Sequence, residues 1–372
     1  MFFKKHKLHI IALFLLLLVT ACASQPEISV DVLPQYDALF SNQKGWTGAD
    51  GAYSVAFSDN RILWLFGDTW FGEIRNGEHV NATIVNNSIA IQHGLLPSDA
   101  SVEFYVGRAP DGMPRAFIRP ADRRGWYWIY DGGLTSEGLF LFLIQIERTK
   151  SQADFGFKVI GSWLGHATNP EAAPINWQIT QKRIPWENFS PAGDTLFGSS
   201  ILKHGDFLYI YGTTENIIDG LRRKYMILAR VPEAELAEFD QWSFFAGGQW
   251  TADFSKSARL CDHMANEYSV SFLPATGKYV AVYSDSGISE NIVARFAPHP
   301  WGPWGDPVIL FQCPEMKRDA HVFCYAAKGH PGLSLAPDEI IITYVASSAD
   351  FEKISKDAAL YRPRFLRVKF QK

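Results

Sequence analysis

A chain of 372 residues with 39 acidic against 35 basic side chains, a formal net charge of -4, offers no electrostatic footprint for a nucleic-acid partner. Aromatic residues make up 14% of it, with 12 Trp and 27 Phe, which suits β-structure and carbohydrate contact alike. The length is large for one ordinary domain and small for three.

Lys4, Lys5 and Lys7 followed by the apolar run Ile10 to Val19 read as a signal peptide over residues 1–21, too short to span a bilayer. Val19-Thr20-Ala21-Cys22 resembles a bacterial lipobox, which implies cleavage before Cys22 and lipidation of that cysteine. Ala23 stands where an inner-membrane retention signal usually places Asp. The expectation is therefore a lipoprotein of the bacterial cell envelope, anchored in the outer membrane. Cleavage removes three lysines and no acids, leaving a net charge of about -7. Of the remaining cysteines, Cys313 and Cys324 are near enough in sequence to pair in an oxidising compartment, with Cys261 left over.

Residues 22–44 read as a lipidated tether with one candidate strand, Ile28 to Val32. From Gly45 to Gly72 the pattern is a β-hairpin, with strands Ala52 to Phe57 and Ile62 to Phe66 about the turn Ser58-Asp59-Asn60-Arg61. Asp50 stands before the first strand and Asp68 after the second, so both carboxylates are expected at one edge of a sheet. The grammar recurs. Asp131 precedes the apolar strand Gly138 to Ile146. Asp194 precedes a hairpin turning at His204-Gly205-Asp206, with Phe207 to Tyr211 beyond it. Glu267 opens a hairpin whose second strand, Tyr279 to Tyr283, ends in Ser284-Asp285-Ser286, and His330 opens a last one turning at Pro337-Asp338. Further strands fill the gaps at Asn87 to Gln92, Ala116 to Ile118, Phe157 to Ile160, Tyr225 to Val231, Ile292 to Phe296 and Phe365 to Phe370. Pro232 to Phe239 reads as a short helix.

Five units, at intervals of 81, 63, 73 and 63 residues, predict an all-β fold: a single-domain five-bladed β-propeller over residues 45–372. A two-sheet sandwich is the other architecture, but five copies of a hairpin do not divide naturally into two sheets. In a propeller, residues before each innermost strand ring the channel mouth. That ring would hold Asp50, Asp131, Asp194, Glu267 and His330, with Asp68 and Asp285 one step outward. Clustered acids raise one another's pKa. Glycoside hydrolysis needs that divergence, one carboxyl keeping a proton for the leaving oxygen while another, ionised, attacks the sugar or activates water.

The run Trp46 to Val55, followed by Leu63-Trp64-Leu65-Phe66-Gly67-Asp68-Thr69, is similar to the opening motif of envelope proteins grouped as domain-of-unknown-function family 4185. Asn266-Glu267-Tyr268-Ser269-Val270 resembles their second landmark, and Trp301-Gly302-Pro303-Trp304-Gly305 the strand ends of propeller glycosidases. The likeness covers most of the chain and is sharp in the first and fourth units. It implies a five-bladed propeller hydrolase, in some members endo-acting on D-arabinan. Carried over by position, Asp50 is nucleophile or base, Glu267 proton donor and Asp68 a pKa-setting or sugar-binding partner, with the roles open to permutation. Asp131, Asp194, His330 and Asp285 are expected to bind substrate on the alignment of units alone, and Gly332 stands where a further acid would be expected.

Each of these residues also has a structural reading. Asp68 can cap its turn, Asp131 and Asp194 can serve strand ends, and His330 can be a hydrogen-bonding channel residue. No cofactor is expected, a central ion near His330 being the one alternative. Trp46, Tyr53, Trp70, Tyr268 and Tyr325 are placed to stack on sugar faces, whereas Trp64 and Trp128 sit inside strands and read as core. Arg222-Arg223-Lys224 reads as a solvated loop, with contact to an acidic glycan as the alternative. No Gly-x-Ser-x-Gly elbow, His-Glu-x-x-His, phosphate loop or Cys-x-x-Cys occurs. The partner expected is a carbohydrate, either as the substrate of a hydrolase or as the ligand of a non-catalytic binding or scaffolding propeller.

Overall fold

The computed structural model describes residues 27–150 and 156–371. The expected signal peptide and Cys22 lie outside these. No helix among the described residues is long and apolar enough to cross a membrane.

The fold is all-β, built on five antiparallel sheets taken in chain order. The first contains Tyr53–Ala56, Arg61–Phe66, Ser88–His93 and Ser101–Tyr105, the second Trp126–Thr135, Gly138–Arg148, Phe157–Ala167 and Ile179–Arg183. The third is wider, with Gly193–His204, Phe207–Ile218 and Leu221–Pro232 at its centre. The fourth runs through Tyr268–Leu273, Lys278–Ser284, Asn291–Ala297 and Val308–Gln312, and the fifth through Val322–His330, Glu339–Ser348 and Pro363–Gln371. The strands Tyr53–Ala56, Trp126–Thr135, Gly193–His204, Tyr268–Leu273 and Val322–His330 touch one another in cyclic order. A sandwich would give two faces rather than a closed ring.

The ring is closed by the N-terminal strand. Glu27–Val32 pairs antiparallel with Pro363–Gln371, from Glu27 opposite Gln371 to Val32 opposite Leu366. The candidate strand Ile28 to Val32, within the stretch read as a tether, is thus the outer strand of the last sheet, where Ile28 and Val30 pack on that sheet's core. A three-stranded sheet, Lys44–Ala49, Thr69–Arg75 and Glu78–Val85, covers the first. Beneath it Phe40 sits edge-on to Trp46 and Trp64 and stacks on Phe365, so a strand-rich aromatic composition becomes a buried ring cluster.

Two units differ in register from the sequence expectation. In the second, the innermost strand is Trp126–Thr135 and Gly138–Arg148 is the next one out, so Asp131 lies within a strand, at a bulge between Ile129 and Gly132. In the fifth, Val322–His330 is innermost and His330 ends it, which puts His330 at the edge opposite Asp50. Ala116 to Ile118 is loop rather than strand. Pro232 to Phe239 gives only short 3-10 turns at Glu233–Glu235 and Phe239–Gln241. Cys261, Cys313 and Cys324 are free thiols, the latter two buried and in contact.

Candidate active site

Asp50 and Asp68 are held back to back by the hairpin that supplies them. The Asp50 amide donates to the Asp68 carbonyl at 3.3 Å, and the Gly67 amide to the Asp50 carbonyl at 3.1 Å. Gly51 and Ala52, at φ +83° and 48°, turn the chain at left-handed backbone angles that favour glycine. A Cβ at Gly67 would run into Asp50 Oδ1 and displace that carboxylate.

The pair opens into a cavity of about 410 Å³ whose wall also includes Glu267, Trp128, Tyr130 and Tyr325. All three residues expected to carry the chemistry share it. Asp50 Oδ2 accepts hydrogen bonds from the hydroxyls of Tyr325 at 2.7 Å and Tyr361 at 2.8 Å. These bonds favour the carboxylate, but burial and the charges of Asp68 and Glu267 outweigh them and push the Asp50 pKa up to about 7. Asp68 Oδ1 accepts from Trp128 Nε1 at 3.0 Å and Asn86 Nδ2 at 3.2 Å. Burial raises its pKa too, against those two donors and the charge of Arg148.

Glu267 meets a buried cation. Lys328 Nζ lies 3.4 Å from Glu267 Oε1, donates to the carbonyls of Gly51 and Ala326, and stands 3.8 Å over the centre of the Tyr53 ring. Burial lowers the Lys328 pKa and the carboxylates of Glu267, Asp50 and Asp131 raise it. The site therefore sets an ion pair beside a carboxyl group poised near neutrality.

The other expected site residues are placed elsewhere. Asp131 faces a separate cavity of about 140 Å³ deeper in the channel, where its carboxyl accepts from the amides of Gly132 at 2.8 Å and Ile201 at 2.9 Å. It ties the second sheet to the third, and burial pushes its pKa up to about 7. Asp194 stands beside Glu215, outside the wall of the larger cavity, and burial with that neighbouring charge raises it to about 6. Asp285 is also off that wall, accepting from its neighbour Ser286 at 3.2 Å. His330 is buried with both ring nitrogens engaged, Nδ1 by Ser54 Oγ and Nε2 by Thr343 Oγ1, each at 2.7 Å. Its burial lowers the pKa to about 3. No group of three or more potential metal-ligating residues occurs among the described residues.

Of the aromatic residues, Tyr325 is on the cavity wall. Trp46 is core, its indole N–H donating to Ser88 Oγ at 3.2 Å. Tyr268 is core as well, donating to the Gly212 carbonyl at 2.8 Å. Trp70 stacks between His79 and Phe351, and Tyr53 lies beneath Lys328, stacked on Tyr130. Trp128, read as core, lines the cavity instead. Its signal was present in Trp126-Tyr127-Trp128-Ile129-Tyr130, where alternation puts Trp126, Trp128 and Tyr130 on one face. Lys328, Tyr361 and Asn86 had no such signal.

A family model described as Domain of unknown function (DUF5005) matches residues 34–370, whereas the opening motif had pointed to family 4185. No curated protein matches significantly. Among solved structures, a Bacteroides ovatus ATCC 8483 protein described as a candidate hydrolase is 20% identical over 94% of this chain and 92% of its own, with a TM-score of 0.73. That likeness is one of fold. A thermostable family-43 glycoside hydrolase, 13% identical over 86% and 88%, aligns at 0.48. A family-43 enzyme of Xanthomonas citri, 12% identical over 90% and 92%, aligns at 0.46. These two are too loose to carry an argument.

Proposed function

The chain belongs to the family described as Domain of unknown function (DUF5005), and from its own cavity we propose that it is a glycoside hydrolase on a five-bladed propeller, cutting a poly- or oligosaccharide, arabinans and other furanosides among them. The supporting observation is that Asp50 and Asp68, from the first hairpin, and Glu267, from a sheet some two hundred residues later, share one cavity in unlike environments. Asp50, near 7, can hold a proton for a leaving oxygen at neutral pH. Glu267 is paired with Lys328 Nζ at 3.4 Å and is the partner that attacks the sugar or activates water. Asp68 keeps the Asp50 pKa high through its charge. This division reverses the roles carried over from the family 4185 motif, and it rests on burial and the charges of Asp68 and Glu267, which outweigh the two hydroxyl bonds to Oδ2.

The test is an activity screen of the mature chain on arabinans and other glycans beside Asp50→Asn and Glu267→Gln. Release of sugar by the wild type and its loss in both variants is the expected result. Equal glycan binding by all three proteins with no sugar released would leave a non-catalytic binding propeller instead. Anchorage at Cys22, and with it an outer-membrane location, is part of the same proposal. Its support is the lipobox alone, and incorporation of labelled palmitate that persists in Cys22→Ser would refute it.

A further inference from the structure

Between the first and second sheets the chain crosses through the two-residue strand Pro114–Arg115 and the loop beyond it, where Arg115, Arg119 and Arg123 line two adjoining cavities of about 540 and 630 Å³. Neither wall has an Asp or Glu, in a chain whose acids outnumber its bases. Among the described residues none of the three guanidinium groups has a carboxylate partner. Trp177 faces one cavity and Trp126 the other.

The loop is braced. Buried Asn87 donates to the carbonyls of Ile118 and Tyr127, both at 2.9 Å, and accepts from the Ile118 amide at 2.8 Å. From the other side Gln181 donates to the Arg119 carbonyl and accepts from the Ala121 amide, both at 3.1 Å. Arginines on a fixed backbone lose less freedom when they engage a ligand.

The wall of the larger cavity touches that of the carboxylate site at two side chains. Asn86 is on the larger cavity's wall and donates to Asp68. Trp126 packs edge-on to Trp128 at 6.4 Å, and Trp128 donates to the same oxygen.

We propose that this loop is a subsite for an anionic polysaccharide, a glycan carrying carboxylate or sulfate groups, whose chain continues past Asp68 to the reacting carboxylates. Planar guanidinium groups match such anions through paired hydrogen bonds, and indole faces accept the apolar faces of sugars. A polynucleotide, charged at every residue, would bring phosphate against Asp50, Asp68 and Glu267. A glycan can set an uncharged sugar there and its anion among the arginines. The substrate class rests on the hydrolase reading, but binding at the loop does not.

Affinity electrophoresis of the mature chain in gels containing polygalacturonate, chondroitin sulfate, debranched arabinan or duplex DNA tests it. An acidic glycan is expected to retard the wild type more than arabinan or DNA does, less so as salt rises. Combined Arg115→Gln, Arg119→Gln and Arg123→Gln weakens that retention on the order of tenfold with the melting temperature unchanged, and the three Arg→Lys changes restore part of it. Retention equal on arabinan, retention untouched by the Gln substitutions, or equal arginine-dependent retention by DNA overturns the proposal. Arginine-dependent retention without release of sugar from any glycan leaves the subsite standing and removes the hydrolase reading. Cleavage of arabinan at equal rates by wild type and Gln variant, without acidic-glycan retention, does the reverse.

Discussion

The hydroxyl of Tyr361 donates to Oδ2 of Asp50 at 2.8 Å across 311 residues of sequence, so the bend leading into the last strand fixes the carboxyl group that the first hairpin supplies. Tyr325 donates to the same oxygen, and both bonds lower a pKa that burial has raised to about 7. Tyr361→Phe removes one of them and should raise the Asp50 pKa by up to about one unit. With Asp50 as proton donor, the alkaline limb of kcat/KM then moves upward in pH. A limb that stays in place, or an acidic limb that moves instead, would show that Asp50 does not act as the donor.

The meeting of Asp50, Asp68 and Glu267 on one cavity wall was legible because each flanks a hairpin strand of its own, and local pattern is enough to place the edge of a hairpin. Asp131 and His330 were misplaced because the same rule was applied one strand out of register. A bulge puts Asp131 inside its strand, and the fifth inner strand ends, rather than begins, at His330. A further register shift between Trp46 and Gly48 separates the face of Trp46 from that of its neighbours, so proximity to Asp50 in sequence did not bring it to the cavity. Lys328 acts on Glu267 from 61 positions away and Tyr361 on Asp50 from 311, and nothing in their own surroundings marks them. The aromatic alternation that would have found Trp128 was visible but was read only as core.

Asp50 should also leave a mark on stability. Its folded pKa, about 7, lies above the ordinary carboxylate value of 3.8, so between these values the folded chain binds the proton that the unfolded chain releases. Stability from this group is therefore present at low pH and falls as pH rises through 7. Asp50→Asn removes the penalty and should stabilise the protein by on the order of 4 kcal/mol above pH 7, with the gain vanishing below about pH 4. Urea unfolding at both ends of that range decides it. A gain of equal size at both would assign the effect to packing.

Lys328 joins the fifth sheet to the first through Gly51 and to the fourth through Glu267. Lys328→Met keeps most of the side-chain volume and leaves two carbonyls and a carboxylate without their donor. The expected cost is about 3 kcal/mol in urea unfolding. Because Glu267 then loses the group that orients it, kcat should fall with little change in KM. A variant that unfolds earlier yet keeps its kcat would make Lys328 a purely structural residue.

The closing strand gives the last prediction. Glu27–Val32 pairs along its whole length with Pro363–Gln371, and its inward residues Ile28 and Val30 pack against the cluster that holds Leu366 and Val368. Deleting residues through Val32 uncovers that apolar face and leaves the outer edge of Pro363–Gln371 unpaired. Lost burial of two aliphatic side chains and a strand's worth of pairing should cost about 3 kcal/mol. The bare edge should also promote association between chains. A lower urea midpoint together with concentration-dependent light scattering is the expected outcome. A truncated chain that is monomeric and unfolds at the wild-type midpoint would return this segment to the role of a tether.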